Sequence, residues 1–192
     1  MKYTFFTLKN LPANWRGKKH YPLIKEVVVY PLKVNRDSRG ILVEVLKTNF
    51  KKIYSPRYQF SQCYYSVTKP KTARDKDRWH CHPTKQIDRF VVIKGDIVVA
   101  LYDWRQNSST YGKLNLFKMG ESQGDTGQYT LLVPQNVLHC FKVVSKKEAI
   151  LLNFPNTLYD AKEEGRIHFK KVKFSDNSFF KWEKVEQSLK NK

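Results

Sequence analysis

Strand-length runs rich in Val, Ile, Phe and Tyr recur along almost the whole chain: "EVVVYPL", "GILVEVLKT", "YQFSQCYYSV", "DRFVVIKG", "DIVVALYDW", "KLNLFKM", "QYTLLVP", "LHCFKVV" and "EAILLNF". β-Branched and aromatic side chains suit a pleated, half-buried surface, and many of these runs alternate in polarity. Turn residues separate them at intervals that leave no room for crossover helices. The pattern therefore argues against a βαβ fold and predicts an all-β chain, an antiparallel sandwich or barrel of jelly-roll type. A chain of 192 residues can bury one good core and is short for two, so a single domain over 1–192 is expected.

The ends differ in character, and residues 1–25 and 170–192 read as peripheral extensions. Ser178 is placed to cap a short C-terminal helix carrying Phe179, Trp182, Val185 and Leu189 along one side. The segment "TKPKTARDKDR", charged and broken by Pro70, reads as a mobile loop.

A formal charge of +19 would suit nucleic acid, anionic lipid or a phosphorylated small molecule. The lysines are scattered and no nucleic-acid-binding motif accompanies them, so a solvated Lys-rich surface is expected in place of nucleic-acid binding. No stretch reaches the ~18 apolar residues of a membrane span, and a soluble, cytoplasmic protein without membrane partners is expected. Cys63, Cys81 and Cys140 match no CxxC spacing and read as reduced thiols.

Chemistry concentrates in "DRWHCHPTKQIDRFVVIKG". On a strand, His80 and His82 share one face while Trp79 and Cys81 take the other. Asp88 can sit on the next strand of a hairpin, and His139 follows the turn "VPQNVLH". Three imidazoles and a carboxylate would suit Fe, Mn, Ni or Zn as divalent ions, which makes His80, His82, Asp88 and His139 the candidate metal ligands. A lone catalytic base or an ordinary strand stays open beside that reading. His20 and His168 lie outside this cluster and read as exposed. Cys81 and Cys140 read as packing residues; Tyr64, Tyr129 and Tyr159 could stack on a base or sugar, although most of the tyrosines read as packing.

The order of His80, His82, Asp88, Gly95, Pro134 and His139 resembles the two metal-binding motifs of the cupin superfamily, whose fold is a small jelly-roll barrel; no organic cofactor is expected for this chain. Asp88 stands where most cupins have Glu, and Asn136 where they have Gly. Asn tolerates the left-handed backbone that Gly would supply.

A closer resemblance, over about residues 30–167, is to the dTDP-4-dehydrorhamnose 3,5-epimerase family within the cupins. "DSRGILVEV" is similar to its D-x-R-G-x-[FL]-x-E opening, "FSQCYYSV" to F-x-Q-x-N-x-S, and "RWHCH" to R-G-L-H-Y-Q. "GDIVVALYDWRQNSSTYGK" is similar to its G-x-[IV]-x-D-V-x-x-D-x-R-x-x-S-x-T-[FY]-G stretch, and "VPQNVLHCF" to I-P-x-G-x-A-H-G-F. "EAILLNFPNTLYDAKEEGRI" resembles the segment that opens A-x-x-x-Y and runs to E-x-G-I.

The resemblance implies that Arg39 and Glu44 hold the nucleotide, on an opening segment donated across a homodimer. It implies that Gln62 and Arg78 line the sugar and diphosphate, and that His80 is the general base beside a 4-keto group. It also exposes departures. The family's enolate-stabilising lysine aligns with Asp88, its general-acid tyrosine with Asn153, and its H-Y-Q glutamine with His82. The acid that partners the base falls near Lys171 unless Asp176 takes the role, and Tyr159 is the replacement acid. A metal bound at the new His82 and Asp88 could take over the lysine's task of polarising the keto oxygen. The expected function is a divergent, metal-containing epimerase acting on a 4-keto sugar nucleotide or similar carbonyl compound. A metal-dependent cupin oxygenase and a non-catalytic sugar-nucleotide-binding homologue are the alternatives.

Overall fold

The computed structural model describes residues 3–11 and 23–190, so His20 lies outside the described residues. Among the described residues thirteen strands form two facing sheets and a hairpin. The first sheet holds β1 (Phe5–Phe6), β9 (Leu114–Gly120), β8 (Asp96–Asp103), β11 (Val137–Val143), β6 (Arg78–Cys81) and β13 (Gly165–His168), in that order. The second holds β2 (Val28–Pro31), β10 (Tyr129–Val133), β7 (Asp88–Lys94), β12 (Ala149–Asn153) and β5 (Tyr64–Thr68). The hairpin joins β3 (Val34–Asp37) to β4 (Gly40–Val43). Among the described strands only the β1–β9 pair is parallel, and the arrangement is the expected jelly roll.

Strand β8 explains why its sequence reads as a continuous apolar run. Ile97, Val99 and Leu101 enter the core between the sheets, whereas Val98, Ala100 and Tyr102 enter a second cluster on the outer face. That outer face is covered by the C-terminal segment, through Phe169, Val172, Phe174, Phe180, Trp182 and Val185. Both faces of β8 are therefore dry, and alternation disappears. Gly95 (φ +71°) makes the turn between β7 and β8, where a Cβ would meet the Glu148 carbonyl oxygen at 2.5 Å. No other residue fits there without backbone movement.

Three expectations about the chain's organisation change. The ends are integral to the core: Phe5, Phe6, Leu23 and Ile24 are buried, and so is the C-terminal cluster. An outer sheet face this apolar must be covered, and the terminal segments do most of it. The helix α1 spans Trp182–Lys190 and starts later than expected, because Ser178 turns its backbone N–H and hydroxyl to Asp176 Oδ1 instead. Residues 69–77 are tied to β11, with Arg74 N donating to the Phe141 carbonyl and Val143 N to the Thr72 carbonyl, so they are an ordered edge and not a free loop. Among the described residues no helix is long and apolar enough to cross a membrane.

Candidate functional site

Strands β6 and β11 run side by side in the first sheet with His80 opposite His139, and their rings stack at a 5.0 Å centroid separation. His82 follows just beyond the end of β6, its ring centroid 4.7 Å from that of His80. Trp79 and Cys81 point the other way, into the outer cluster, as the strand period requires. Asp88 reaches the histidines differently from the hairpin expectation. It opens β7 in the facing sheet, so the cluster bridges the two walls of the barrel.

Asp88 is buried and fully engaged. Its Oδ1 accepts from Gln86 Nε2 (3.0 Å) and Asn153 Nδ2 (2.8 Å), its Oδ2 lies 3.0 Å from His82 Nε2, and His139 Nε2 stands at 3.5 Å. Burial pushes its pKa up, but His82, His139 and Asn153 outweigh burial and hold the carboxyl well below the usual range. Burial opposes charge on His82 too. There the Asp88 hydrogen bond and charge, with the Glu163 carbonyl 2.9 Å from Nδ1, win and raise the pKa. His139 is buried and its pKa is lowered, with Nδ1 3.0 Å from the Val137 carbonyl.

His80 differs from both. Burial, and then the neighbouring charges of His139 and His82, lower its pKa to about 3, which leaves a neutral imidazole at physiological pH. Glu164 Oε2 stands 3.2 Å from its Nε2, in ion-pair reach but without the alignment of a hydrogen bond. Arg166 Nη2 in turn holds Glu164 at 3.1 Å, and Arg166 Nε faces Asp75 at 3.4 Å. Glu164 arrives there because β13 pairs with β6, putting Gly165 opposite Cys81 and Arg166 opposite His80. A Cβ at Gly165 would sit 2.6 Å from Cys81 Sγ, so glycine is what allows this approach. The adjacent Glu163 turns inward and gathers the backbone N–H groups of Thr84, Lys85 and Gln86.

A cavity of about 550 Å³ opens over these groups, lined by His80, Asp88, His139, Gln62, Tyr64 and Tyr159 among others, with Arg74, Glu164 and Arg166 at its wall. The sequence-derived residues divide around it. Gln62 lines the cavity and bonds the Thr157 carbonyl at 3.2 Å. Tyr159 lines it at 71 % exposure. Arg78 does not: its guanidinium is exposed beside Asp77 at the start of β6, and the cations on the cavity are Arg74 and Arg166.

Arg39 and Glu44 lie on and just after the β3–β4 hairpin, away from this cavity, and are paired with Asp37 and Lys47. Lys171 is exposed and Asp176 bonds Ser178, so neither partners the base; Glu164 holds that position. The four proposed metal ligands do not form one set. Donor atoms converge as His82, Asp88 and His139, and separately as His80, His82 and Glu164.

Comparison with known proteins agrees with this architecture. The sequence pattern of dTDP-4-dehydrorhamnose 3,5-epimerase matches residues 22–191. A probable low-salt glycan biosynthesis epimerase of Haloferax volcanii is 39 % identical over 150 residues, covering 77 % of this chain and 90 % of that protein. The crystal structure of a dTDP sugar isomerase from Desulfovibrio desulfuricans superposes with a TM-score of 0.67 at 23 % identity, over 75 % of this chain and 85 % of the other. A Legionella pneumophila dTDP-6-deoxy-D-glucose-3,5-epimerase, crystallised with dTDP-4-keto-L-rhamnose, gives 0.65 at 20 % identity over 76 % and 74 %. With the family pattern spanning nearly all of the barrel, the chain belongs to the dTDP-4-dehydrorhamnose 3,5-epimerase family of sugar-nucleotide epimerases.

Proposed function

We propose that this chain epimerises a nucleotide-activated 4-keto sugar, with His80 as the base that removes the proton beside the keto group. The observation that carries the reading is the placement of His80: an imidazole lining the sugar-sized cavity, backed by the carboxylate of Glu164, with Arg74 and Arg166 on the same wall. A carboxylate beside an imidazole stabilises the imidazolium that forms on proton abstraction. Guanidinium groups beside the cavity suit a diphosphate, since each can offer two parallel N–H bonds to phosphate oxygens. Arg39 and Glu44, remote from their own chain's cavity, would meet a nucleotide only if supplied by a second copy of the chain.

Incubation with a dTDP-4-keto-6-deoxyhexose in D₂O tests the reading. Deuterium should enter the sugar ring beside the keto group, and His80→Asn should slow that entry by about 10²–10⁴-fold, the usual contribution of a positioned base. Binding of dTDP with no deuterium entry would leave a non-catalytic homologue, and consumption of O₂ would point to an oxygenase.

A second proposal concerns His82, Asp88 and His139, which we read as a candidate divalent-metal site. Both imidazoles have Nδ1 against a backbone carbonyl, at Glu163 and Val137, which directs Nε2 toward Asp88. Carbonyl-anchored histidines of this kind are the usual support for metal ligands. A divalent ion there would supply Lewis-acid polarisation of the keto oxygen, the task for which Asp88 itself has the wrong charge.

A further inference from the structure

Two positions at which this chain departs from its family prove to be one exchange. The family strand F-x-Q-x-N-x-S reads Phe60-Ser61-Gln62-Cys63-Tyr64-Tyr65-Ser66 here, so Tyr64 occupies the asparagine position. The segment A-x-x-x-Y begins at Ala149, so Asn153 occupies the tyrosine position. Strands β5 and β12 are antiparallel neighbours, and Asn153 and Tyr64 are directly opposed in their register. Set against the motifs that the chain resembles, asparagine and tyrosine stand at exchanged positions across a single rung of the ladder.

The hydrogen bonds give that exchange a chemical meaning. Asn153 Oδ1 accepts from the Arg89 backbone N–H at 2.9 Å, which fixes the amide's orientation. Its Nδ2 then donates one hydrogen to Asp88 Oδ1 and the other to Tyr64 Oη, each at 2.8 Å. Tyr64 is the acceptor in that bond, so its own phenolic hydrogen is not used by it, and the side chain lines the cavity. His80 belongs to the first sheet and Tyr64 to the second, so the two stand on opposite walls. Burial, reinforced by the Asp88 carboxylate, pushes the phenol up to about 12 and keeps it protonated at neutral pH.

We infer that Tyr64 is the catalytic proton donor of this chain, replacing the tyrosine lost at Asn153; the inference rests on the epimerase reading above. His80, through the ring nitrogen that does not face Glu164, takes the proton from the carbon beside the keto group: the C–H bond breaks, an N–H bond forms, and the electron pair moves into the enolate. The Tyr64 O–H bond then breaks as a new C–H bond forms on the opposite face of the same carbon. The phenolate regains a proton from water, His80 releases one, and no net oxidation or reduction occurs. Tyr159, the other phenol on the cavity, is 71 % exposed against 46 % for Tyr64, and lacks the amide anchor that orients Tyr64.

The test separates exchange from epimerisation, using a dTDP-4-keto-6-deoxyhexose in D₂O. In Tyr64→Phe, His80 should still remove the ring proton and return a deuteron to the same face, so deuterium enters while epimer formation falls by about 10²–10⁴-fold. Tyr64→Asn should be equally impaired, and adding Asn153→Tyr to it should restore epimer formation by returning the phenol to the other side of the rung. Epimer formed at the unmodified rate by Tyr64→Phe would overturn the assignment, as would loss of epimer in Tyr159→Phe alone. Failure of the paired exchange to restore a folded Tyr64→Asn protein would also overturn it. Absence of any deuterium entry with the unmodified chain would instead sink the epimerase reading, and this assignment with it.

Discussion

His82 and Asp88 show how two substitutions can be understood only together. A carboxylate at position 88 without His82 would lose the partner of its Oδ2 and keep only the amides of Gln86 and Asn153 with His139 near by, and an imidazole at 82 without Asp88 would keep the Glu163 carbonyl at Nδ1 but lose the charge beside Nε2. Breaking such a pair costs about 3–5 kcal/mol. If a divalent ion shares this pair with His139, protein purified without an affinity tag should carry about one ion per chain, and chelation should lower the melting temperature by mass action on the folded state. Asp88→Asn, which keeps the shape and removes the anionic ligand, should abolish the ion. Metal-free protein whose melting is indifferent to chelator would reduce the cluster to a hydrogen-bonded ion pair. His80, His82, Asp88, His139 and Gln62 could all be found in the sequence, because strand alternation and motif spacing are local. Glu164 could not, because its contact with His80 depends on β13 pairing with β6 more than eighty residues away in sequence. Its only trace in the sequence is the acidic pair Glu163-Glu164 ahead of Gly165, and nothing local says which of the two faces the base. Arg78 fails for the converse reason: its motif match is local, but its position at the open start of β6 turns the guanidinium to Asp77.

At the scale of one element, the β8–β9 connection shows what a family motif can do without touching substrate. Asp103 ends β8 fully buried and accepts from Arg105 N (3.2 Å) and Nε (2.9 Å), Ser108 Oγ (2.6 Å) and Thr110 Oγ1 (2.5 Å). The backbone N–H of Gly112 (φ +79°) returns to the Asp103 carbonyl at 2.8 Å and closes the loop. The D-x-R-x-x-S-x-T-[FY]-G pattern is therefore a fold for a loop, its acid serving as the hub. Burial raises the Asp103 pKa, but the bonds from Arg105, Ser108 and Thr110 outweigh it and lower the value from 3.8 to about 2. A carboxyl depressed on folding stabilises the protein above its unfolded pKa and loses that contribution as pH falls through the folded one. On the order of 2 kcal/mol should thus disappear between about pH 4 and pH 2. Asp103→Asn should be less stable at neutral pH and flatter over that acid window in urea titrations. An unchanged acid limb would show that the bonds do not couple to proton binding. The strands themselves were legible because both faces of the central ones are apolar. The helix start was not, because Asp176 competes for Ser178 and no composition rule ranks the two.

At the scale of the whole molecule, the hairpin β3–β4 stands apart from the two sheets with its apolar side chains exposed. Its side chains Ile41 and Leu42 are 57 % and 62 % exposed, and Arg39 reaches outward beside them. Apolar side chains of that size on a two-stranded hairpin, a unit marginal on its own, call for a partner surface. The same hairpin carries Arg39, with Glu44 just beyond it, the residues that resemblance assigns to nucleotide binding, and they lie away from their own cavity. A homodimer in which each chain lends its hairpin to the other's cavity would resolve both facts at once, since a two-fold interface repeats the same exchange on each side. Light scattering at micromolar concentration should therefore give twice the mass of one 22.8 kDa chain. Replacing Ile41 and Leu42 with Asp should shift the mass toward one chain and weaken the dTDP-induced rise in melting temperature, although neither residue belongs to the His80 cavity. A monomer that keeps its full dTDP response would show that the hairpin is dispensable, and Arg39 and Glu44 would then have no part in holding the nucleotide.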